Sequence, residues 1–476
     1  MITWLWITGA IYLGVLVFLT IVSRRKNRST ADYVLAGSNI GLFVGLLTYA
    51  ATLFSAFTLM GMPDFFRTHG VGAWIFLAVS DGAQIFLIIW FGIPLRRRAK
   101  EMGFRGTASL LSALYENRWA GYIYLAGIFL FLVPYVAVQI RGLAIFLEAI
   151  YPGALPAWGW SVGIMIVMLA YGVLGGLRAV IAADAFQGVI LLVATWIVGI
   201  ACVHALGGVS SMFARVEAVD PALLSVPGPD GLFSIQFLLA SFLAVMLLPA
   251  TQPQLTTRLI IMRSTRTMKR MAVAIGCFVM LVLLPVVAIG MYGAVQYPEA
   301  TTRDFLASVL LFDRPDVVAA VVVIGLLAAA MSTADSQIFA LGTELTSLLS
   351  GDERTVLLAS KAAIGVFGLF SLLFSLLSSD QLVLLALVSF AGTSLLGPMV
   401  LAGVFSRRPP GTVVLGATVL GLLIFLGSLV GVVPSQVGPM RLDLLLLLTI
   451  GAVTLASALY QHRHPKPAVA AERPYV

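Results

Sequence analysis

Charge is what this chain has least of. Asp, Glu, Lys and Arg make up 11% of its 476 residues, while 60% of them are hydrophobic. Soluble domains carry about 25% charged residues. A water-soluble globule cannot hide so much apolar surface, because its area grows too slowly with mass. Lipid must therefore stand in for water around most of the chain. Cysteine is nearly absent: Cys202 and Cys277 both lie in apolar runs, with no CxxC and no ligand spacing. That excludes a disulfide scaffold and a cysteine metal centre. The histidines do not converge either: His69 is in a loop, His204 at the end of a hydrophobic run, His462 and His464 in a basic tail. The chain has no Walker A loop, no HExxH and no GxSxG. An ATP-driven pump or a membrane protease is thereby disfavoured, and the chain is expected not to be an enzyme. Polar stretches, at about 207–231 and 296–316 and in a tail over 462–476, are too short for a second domain.

What is present is a series of long apolar runs. A bilayer core needs about 20 apolar residues per helix. Thirteen spans are expected, near 2–22, 40–62, 71–95, 120–147, 157–174, 180–206, 232–254, 271–295, 317–349, 355–378, 381–405, 412–433 and 442–461. Lys and Arg gather in cytoplasmic loops. Placing the N-terminus outside puts 22 of the 29 basic residues inside, among them Arg24 to Arg28, Arg96 to Arg105 and Arg258 to Arg270, against five outside, including Arg67. The opposite orientation inverts that bias. The net charge of +8 is then a topology signal, not a footprint for nucleic acid. The first run has no basic segment before it and one after it, so it reads as a retained anchor, not a cleaved signal.

Transporters pair interrupted helices in two inverted repeats. The run 40–62 ends in Met60-Gly-Met-Pro63, and 232–254 ends in Pro249-Ala-Thr-Gln-Pro253. Each proline removes a backbone donor. These runs would open two five-span halves, about 39–206 and 232–405, the second inverted because five is odd.

Polar groups in lipid are functional suspects. In Leu327-Ala-Ala-Ala-Met-Ser-Thr-Ala-Asp-Ser336, the hydroxyls of Ser332 and Thr333 stand among small side chains, with Ala329 on the face of Ser332. With carbonyls from a broken helix they suit a hard cation such as Na⁺; equally, they suit bonds to their own helix that bend it. Asp81 and Gln84 share a face and would bind a polar solute, or Asp81 would pair with Arg141. Asp184 would attract a cation leaving inward or cap a helix N-terminus. Lys361 would neutralise Asp335 or Glu344.

Five stretches, in order, carry a likeness. They are Ala31-Asp-Tyr-Val-Leu-Ala-Gly37; Ser55-Ala-Phe-Thr-Leu-Met-Gly-Met-Pro63; Tyr171-Gly-Val-Leu-Gly-Gly-Leu-Arg-Ala-Val180 with Asp184 and Gln187-Gly188; Gln252-Pro253 with Arg258; and Ala328-Ala-Ala-Met-Ser-Thr-Ala-Asp-Ser336. From about residue 30 to 425 the sequence resembles the sodium/solute symporter family, which includes bacterial proline, pantothenate and monocarboxylate permeases. The resemblance implies an all-α membrane protein with an inverted five-helix repeat and extra flanking helices. It implies sodium bound by the carbonyls of Ala51, Phe54 and Ala329 and the hydroxyls of Ser332 and Thr333, with Asp184 serving inward release. The pattern departs from some relatives at Leu53, where they carry Asp, and at Pro249 and Ala250, where they carry aromatic residues.

The expected function is import of a small polar organic solute, a carboxylate or amino acid, driven by Na⁺ as the co-transported ion. Ser55, Asp81, Gln84 and Gln252 are the expected solute contacts. Rival readings are a membrane sensor working with a separate signalling partner, and coupling to protons through Asp81, Asp184 or Asp335. The expected partners are the solute and the lipid bilayer of the inner membrane, with no nucleic acid; the sequence leaves the oligomeric state open.

Overall fold

The computed structural model describes residues 2–27, 29–151, 153–312, 314–377 and 382–464. Most of the expected 462–476 tail, Arg28 and the junction of the expected spans at 378–381 lie outside them. The fold is helical almost throughout, with one two-stranded hairpin, Gln436–Val437 against Met440–Arg441. The principal helices are α1 (Ile2–Lys26), α2 (Leu42–Leu53), α3 (Met62–His69), α4 (Ser80–Met102), α5 (Arg118–Ile150), α6 (Ala157–Ala205), α7 (Ile235–Met246), α8 (Pro253–Ile260), α9 (Thr265–Gln296), α10 (Asp316–Ser347), α11 (Glu353–Leu377), α12 (Leu382–Ser394), α13 (Gly397–Phe405), α14 (Thr412–Leu429) and α15 (Leu442–Arg463).

Among the described residues ten helices are long and apolar enough to cross a membrane, or eleven when the bent pair at 42–69 is taken as one span. The difference from thirteen lies in the interruptions. The expected spans 157–174 and 180–206 are one helical run of 49 residues, about 74 Å at 1.5 Å per residue and so more than twice a bilayer core. It is parted at Gly176, whose φ of 68° and ψ of −171° are not helical. The expected span 232–254 is split among α7, a single turn at Leu248–Thr251 and α8, none of them long enough alone.

Both interruptions fall away from the expected proline effect. α2 ends where Phe54 turns extended (φ −91°, ψ 120°), and the chain continues at 56° to its former course. Pro63 lies nine residues later, in the first turn of α3 and just after a π turn at Phe57–Gly61. It continues a helix that has already restarted. In the second case Gln252 is extended (φ −101°, ψ 118°) and Pro253 opens α8, the position where a missing N–H costs nothing.

α10 lies at the centre. It is buried without interruption from Ala328 to Glu344, as a helix surrounded by other helices must be. α6 packs along it and along α2. At Gly188 a Cβ would stand 3.2 Å from the Leu47 carbonyl oxygen and 3.3 Å from the Ala51 Cβ. The absence of a side chain there lets α2 and α6 approach closely. The perimeter is apolar and outward-facing, with Trp6, Phe18, Phe43, Phe86 and Leu377 among the exposed side chains. On a membrane protein that is the lipid face.

A Cβ at Gly176 would meet the ring of Tyr33 at 2.6 Å and the Tyr33 carbonyl oxygen at 2.9 Å, in a backbone region open essentially to glycine alone. Gly176→Ala is expected to cost about 1–3 kcal/mol, read as a lowered melting temperature of the detergent-solubilised protein. An unchanged melting temperature would show that the break tolerates a side chain.

Candidate functional site

The break after α2 aims backbone oxygen at the middle of α10. Ser332 Oγ donates to the Ala51 carbonyl at 2.8 Å and lies 3.1 Å from the Ala329 carbonyl oxygen. Thr333 Oγ1 lies 3.3 Å from the Ala51 carbonyl oxygen and 3.4 Å from that of Thr52. Ser332 therefore makes the bond to its own helix and a bond to another helix in one geometry, and α10 runs on as a single helix. Of the five expected cation ligands, the structure brings the Ser332 and Thr333 hydroxyls to the Ala51 carbonyl and the Ser332 hydroxyl to that of Ala329. Phe54 is buried at the break itself, and among the described residues no hydrogen bond joins it to Ser332 or Thr333.

Such a cluster can exchange its hydrogen bonds for a cation. Oxygen ligands stand about 2.3–2.6 Å from a hard cation such as calcium, which places adjacent ligands of an octahedral shell about 3.3–3.7 Å apart. The contacts here are 2.8–3.4 Å. A spread of about half an ångström, with the hydroxyl hydrogens turned outward, makes that shell.

One helical turn further along α10, Ser336 meets a charge pair. Arg258 Nη2 donates to Asp184 Oδ2 at 2.5 Å and to Ser336 Oγ at 2.7 Å, while Arg258 Nε donates to Thr48 Oγ1 at 3.0 Å. Thr48 Oγ1 in turn donates to Asp184 Oδ2 at 2.7 Å. Arg258 and Asp184 are 1% and 0% exposed, so the pair is out of reach of both lipid headgroups and water. It ties α2, α6, α8 and α10 together. Asp184 lies inside α6 and caps no helix. Arg258, assigned above to a cytoplasmic loop, is a core residue: α8 carries it inward because its charge has a buried partner. Arg67, assigned to an outer loop, is likewise buried, bonded to Asp64 and to the carbonyls of Tyr297 and Pro298.

On the other side of the α2 break lies a small cavity of about 10 Å³, lined by Thr52, Leu53, Phe57, Thr58, Leu77, Asp81, Tyr135, Val245, Leu248, Gln252, Leu255 and Phe390. That is room for about one water molecule. Of the expected solute contacts, Asp81 and Gln252 line it. Ser55 and Gln84 do not. Ser55 Oγ accepts from the Phe57 N–H at 3.1 Å and contacts the Tyr135 hydroxyl at 3.3 Å. Gln84 Nε2 donates to Asp81 Oδ1 at 2.8 Å and to the Val245 carbonyl at 3.2 Å. Both residues position the site from behind. Among the described residues no basic side chain bridges to Asp81, so the pair with Arg141 does not form. Lys361 neutralises neither candidate acid. Its Nζ lies over the ring of Tyr33, Glu344 accepts the N–H groups of Thr107 and Ala108 at 2.8 and 2.7 Å, and Asp335 is bonded by the Tyr171 hydroxyl. A helix N-terminus is as good a partner for Glu344 as a lysine. Thr48, Arg258 and the aromatic walls Phe57, Tyr135 and Phe390 were missed in the sequence; only the Gln-Pro break six residues ahead of it hints that Arg258 turns inward.

Beyond Phe57 and Phe390 opens a wide vestibule of about 780 Å³, reaching Met60, Gly61, Leu387, Val388 and Ala391 on its inner side and Asp64, Arg441 and Asp443 elsewhere. The Phe57 and Phe390 rings, which line the small cavity, meet edge to face with centroids 6.1 Å apart, and their chain neighbours Met60 and Ala391 line the vestibule.

Interrupted helices around a central polar cluster define the fold of cation-coupled secondary transporters. A substrate-bound, outward-open Na⁺-coupled sialic acid symporter matches with a TM-score of 0.78 over 97% of this chain and 98% of that one, at 17% identity. The closed conformation of MHP1, a nucleobase-cation-symport-1 family transporter with bromovinylhydantoin bound, matches with a TM-score of 0.57 over 93% and 98%, at 13% identity. MhsT in complex with L-phenylalanine gives 0.55 over 88% and 98%, at 14% identity. The chain belongs to the sodium:solute symporter family, whose model matches residues 33–421. Among curated proteins it is 24% identical to the sodium/pantothenate symporter of Haemophilus influenzae over 324 residues, 67% of this chain and 65% of that one. It is 30% identical to the sodium/proline symporter of Klebsiella oxytoca over 80 residues, 17% of this chain and half of that one.

Removing one partner of a buried ion pair leaves the other charge uncompensated. Asp184→Ala and Arg258→Ala are each expected to destabilise the protein by about 3–5 kcal/mol, and the double variant by clearly less than the sum. A double-mutant cycle on detergent-phase unfolding measures this; strict additivity would mean the two side chains do not act as a pair.

Proposed function

We propose that the chain is a sodium-coupled symporter of the inner membrane that imports a small polar organic solute by alternating access. The observation that supports this best is the contact of Ser332 and Thr333 with the Ala51 carbonyl. Sodium held there, with Phe54 and Ala329 completing its shell, links the broken first helix to α10. In this reading the ion favours one arrangement of those helices, the solute favours the same one, and each raises the affinity of the other by the same factor.

The remaining assignments follow from the orientation with the N-terminus outside and the C-terminus inside. Repeat one spans about 39–206 and repeat two about 232–405. The start of α2 and the end of α10 then face the cytoplasm, and the Asp184–Arg258 pair closes the inward path one turn below the ion. Asp184 guides the ion out when that pair parts. The vestibule opens outward, and Phe57 and Phe390 close over the solute cavity.

Ser332→Ala combined with Thr333→Ala is expected to reduce solute uptake to its sodium-free level. The measurement is uptake into proteoliposomes with and without a sodium gradient at fixed pH, together with sodium affinity of the purified variant. Wild-type uptake and affinity in the double variant would sink the site; uptake that follows a pH gradient instead of sodium would assign the coupling ion to the proton.

A further inference from the structure

The small cavity holds an acid group with no basic group beside it. Of the side chains lining it only Asp81 is a carboxylic acid, and none is Lys, Arg or His. The carboxylate is 2% exposed and no salt bridge reaches it among the described residues. It is held in place all the same. Gln84 Nε2 binds Oδ1, and the Tyr49 hydroxyl fixes Gln84 by donating to its Oε1 at 3.2 Å. Oδ2 is left for a ligand. A carboxylate so deep in a membrane protein is costly unless it meets a positive group.

The walls suit such a group. Phe57, Tyr135 and Phe390 surround the cavity, with the Tyr135 and Phe390 rings 5.1 Å apart and edge to face. Aromatic faces attract desolvated ammonium groups. An anion finds less. The N-terminus of the restarted helix is a natural anion site, but its donors are already taken: the Ala56 N–H by Gln139 Oε1 at 2.9 Å, the Phe57 N–H by Ser55 Oγ, and the Ser55 N–H by Thr58 Oγ1 at 3.3 Å. The second restarted helix begins with Pro253, which has no N–H to offer. A free donor in the lining is Gln252 Nε2, buried without a partner, which suits a single neutral or partly charged acceptor.

We propose that the transported solute carries a protonated amine or a quaternary ammonium group, and that Asp81 receives it. This rests on the symport reading and narrows it: a carboxylate without an ammonium group is not the substrate. The adjoining cation cluster is built from neutral oxygens, so the solute's positive charge is balanced at Asp81 and not shared with the ion. Thr52 joins the two, since its carbonyl contacts Thr333 while the residue lines the cavity. Gln84 and Tyr49 are positioning residues for Asp81.

The test offers the purified full-length chain, in proteoliposomes under an inward sodium gradient, radiolabelled L-proline, L-lysine, choline, pyruvate and pantothenate. Sodium-stimulated uptake of at least one of the first three, and of neither of the last two, is expected. Choline uptake would assign a cationic amine, and proline or lysine without choline an amino acid; both outcomes uphold the proposal. Asp81→Asn should raise KM for the transported probe at least tenfold, while sodium-induced thermal stabilisation of that variant stays at the wild-type level, which also shows that it folds. Asp81→Glu, which keeps the charge, should recover part of the loss. Uptake of pyruvate or pantothenate, an unchanged KM in Asp81→Asn, or failure of all three ammonium probes while sodium still stabilises the protein would overturn the proposal and leave symport standing. Loss of sodium stabilisation in Asp81→Asn would also overturn it, by making Asp81 part of the ion site. If the wild-type chain itself shows no response to sodium, the symport reading fails and takes this proposal with it.

Discussion

Everything in this structure turns on a helix that stops in mid-membrane. Inside a bilayer a backbone carbonyl without a hydrogen bond costs several kcal/mol, so irregular backbone survives only where protein covers it or a polar cavity receives it. At Phe54 the cover is α10. Its hydroxyls at 332 and 333 reach the carbonyls that α2 would otherwise leave bare. The need to satisfy the broken end and the capacity to bind a cation are thus the same arrangement of atoms. In the proposed reading, an ion entering there replaces hydrogen bonds that already hold the two helices together, and this couples occupancy to helix position.

The charge pair at Asp184 and Arg258 answers the same constraint differently. Four helical segments meet there, and the pair is hydrogen-bonded on nearly every side. A buried ion pair is poor evidence for net stability, because hydrophobic replacements often do as well. In the proposed reading its usefulness is that it has two states, paired when dry and separately hydrated when water enters. A closure built on it opens only when solvent can reach both charges together. An apolar plug in the same place would have no such requirement.

Legibility in the sequence followed the length scale of the physics. Long apolar runs report lipid exposure directly, so the spans and the helical class could be read from composition and periodicity. The Ser332-Thr333 pair stood out as two hydroxyls in a run of alanines, but the residues alone left a helix-bending role open; the family resemblance pointed to a cation, and the structure adds the contact with the Ala51 carbonyl. Contacts between segments distant in the chain could not be read. Arg258 looks like one more basic residue after a span until α8 turns it toward α6, some 74 positions away from its partner in sequence. Glu344 needs no lysine once the start of the 107–114 helix lies against it. The prolines misled by position: the breaks fall on Phe54 and Gln252, while Pro253 opens α8 and Pro63 lies inside a helix that has already restarted.

Two oxygen-rich places thus share the α2 break, and they differ in kind. The cluster at Ala51 and Ser332 is neutral and made of atoms whose spacing a small ion can expand. The cavity at Asp81 holds a carboxylic acid and is lined by the rings of Phe57, Tyr135 and Phe390. A hard ion loses its water readily only to several oxygens at once, and of those lining the cavity Thr58 Oγ1 and Gln252 Oε1 already accept from the Ser55 N–H and from Gln254 Nε2. An ammonium group carries its charge on a larger, more weakly hydrated body, and that is what rings and one carboxylate accommodate well. Two positive charges a few ångströms apart repel unless a negative charge lies near them. Asp81 can provide it, because no Lys or Arg among the described residues has already claimed it.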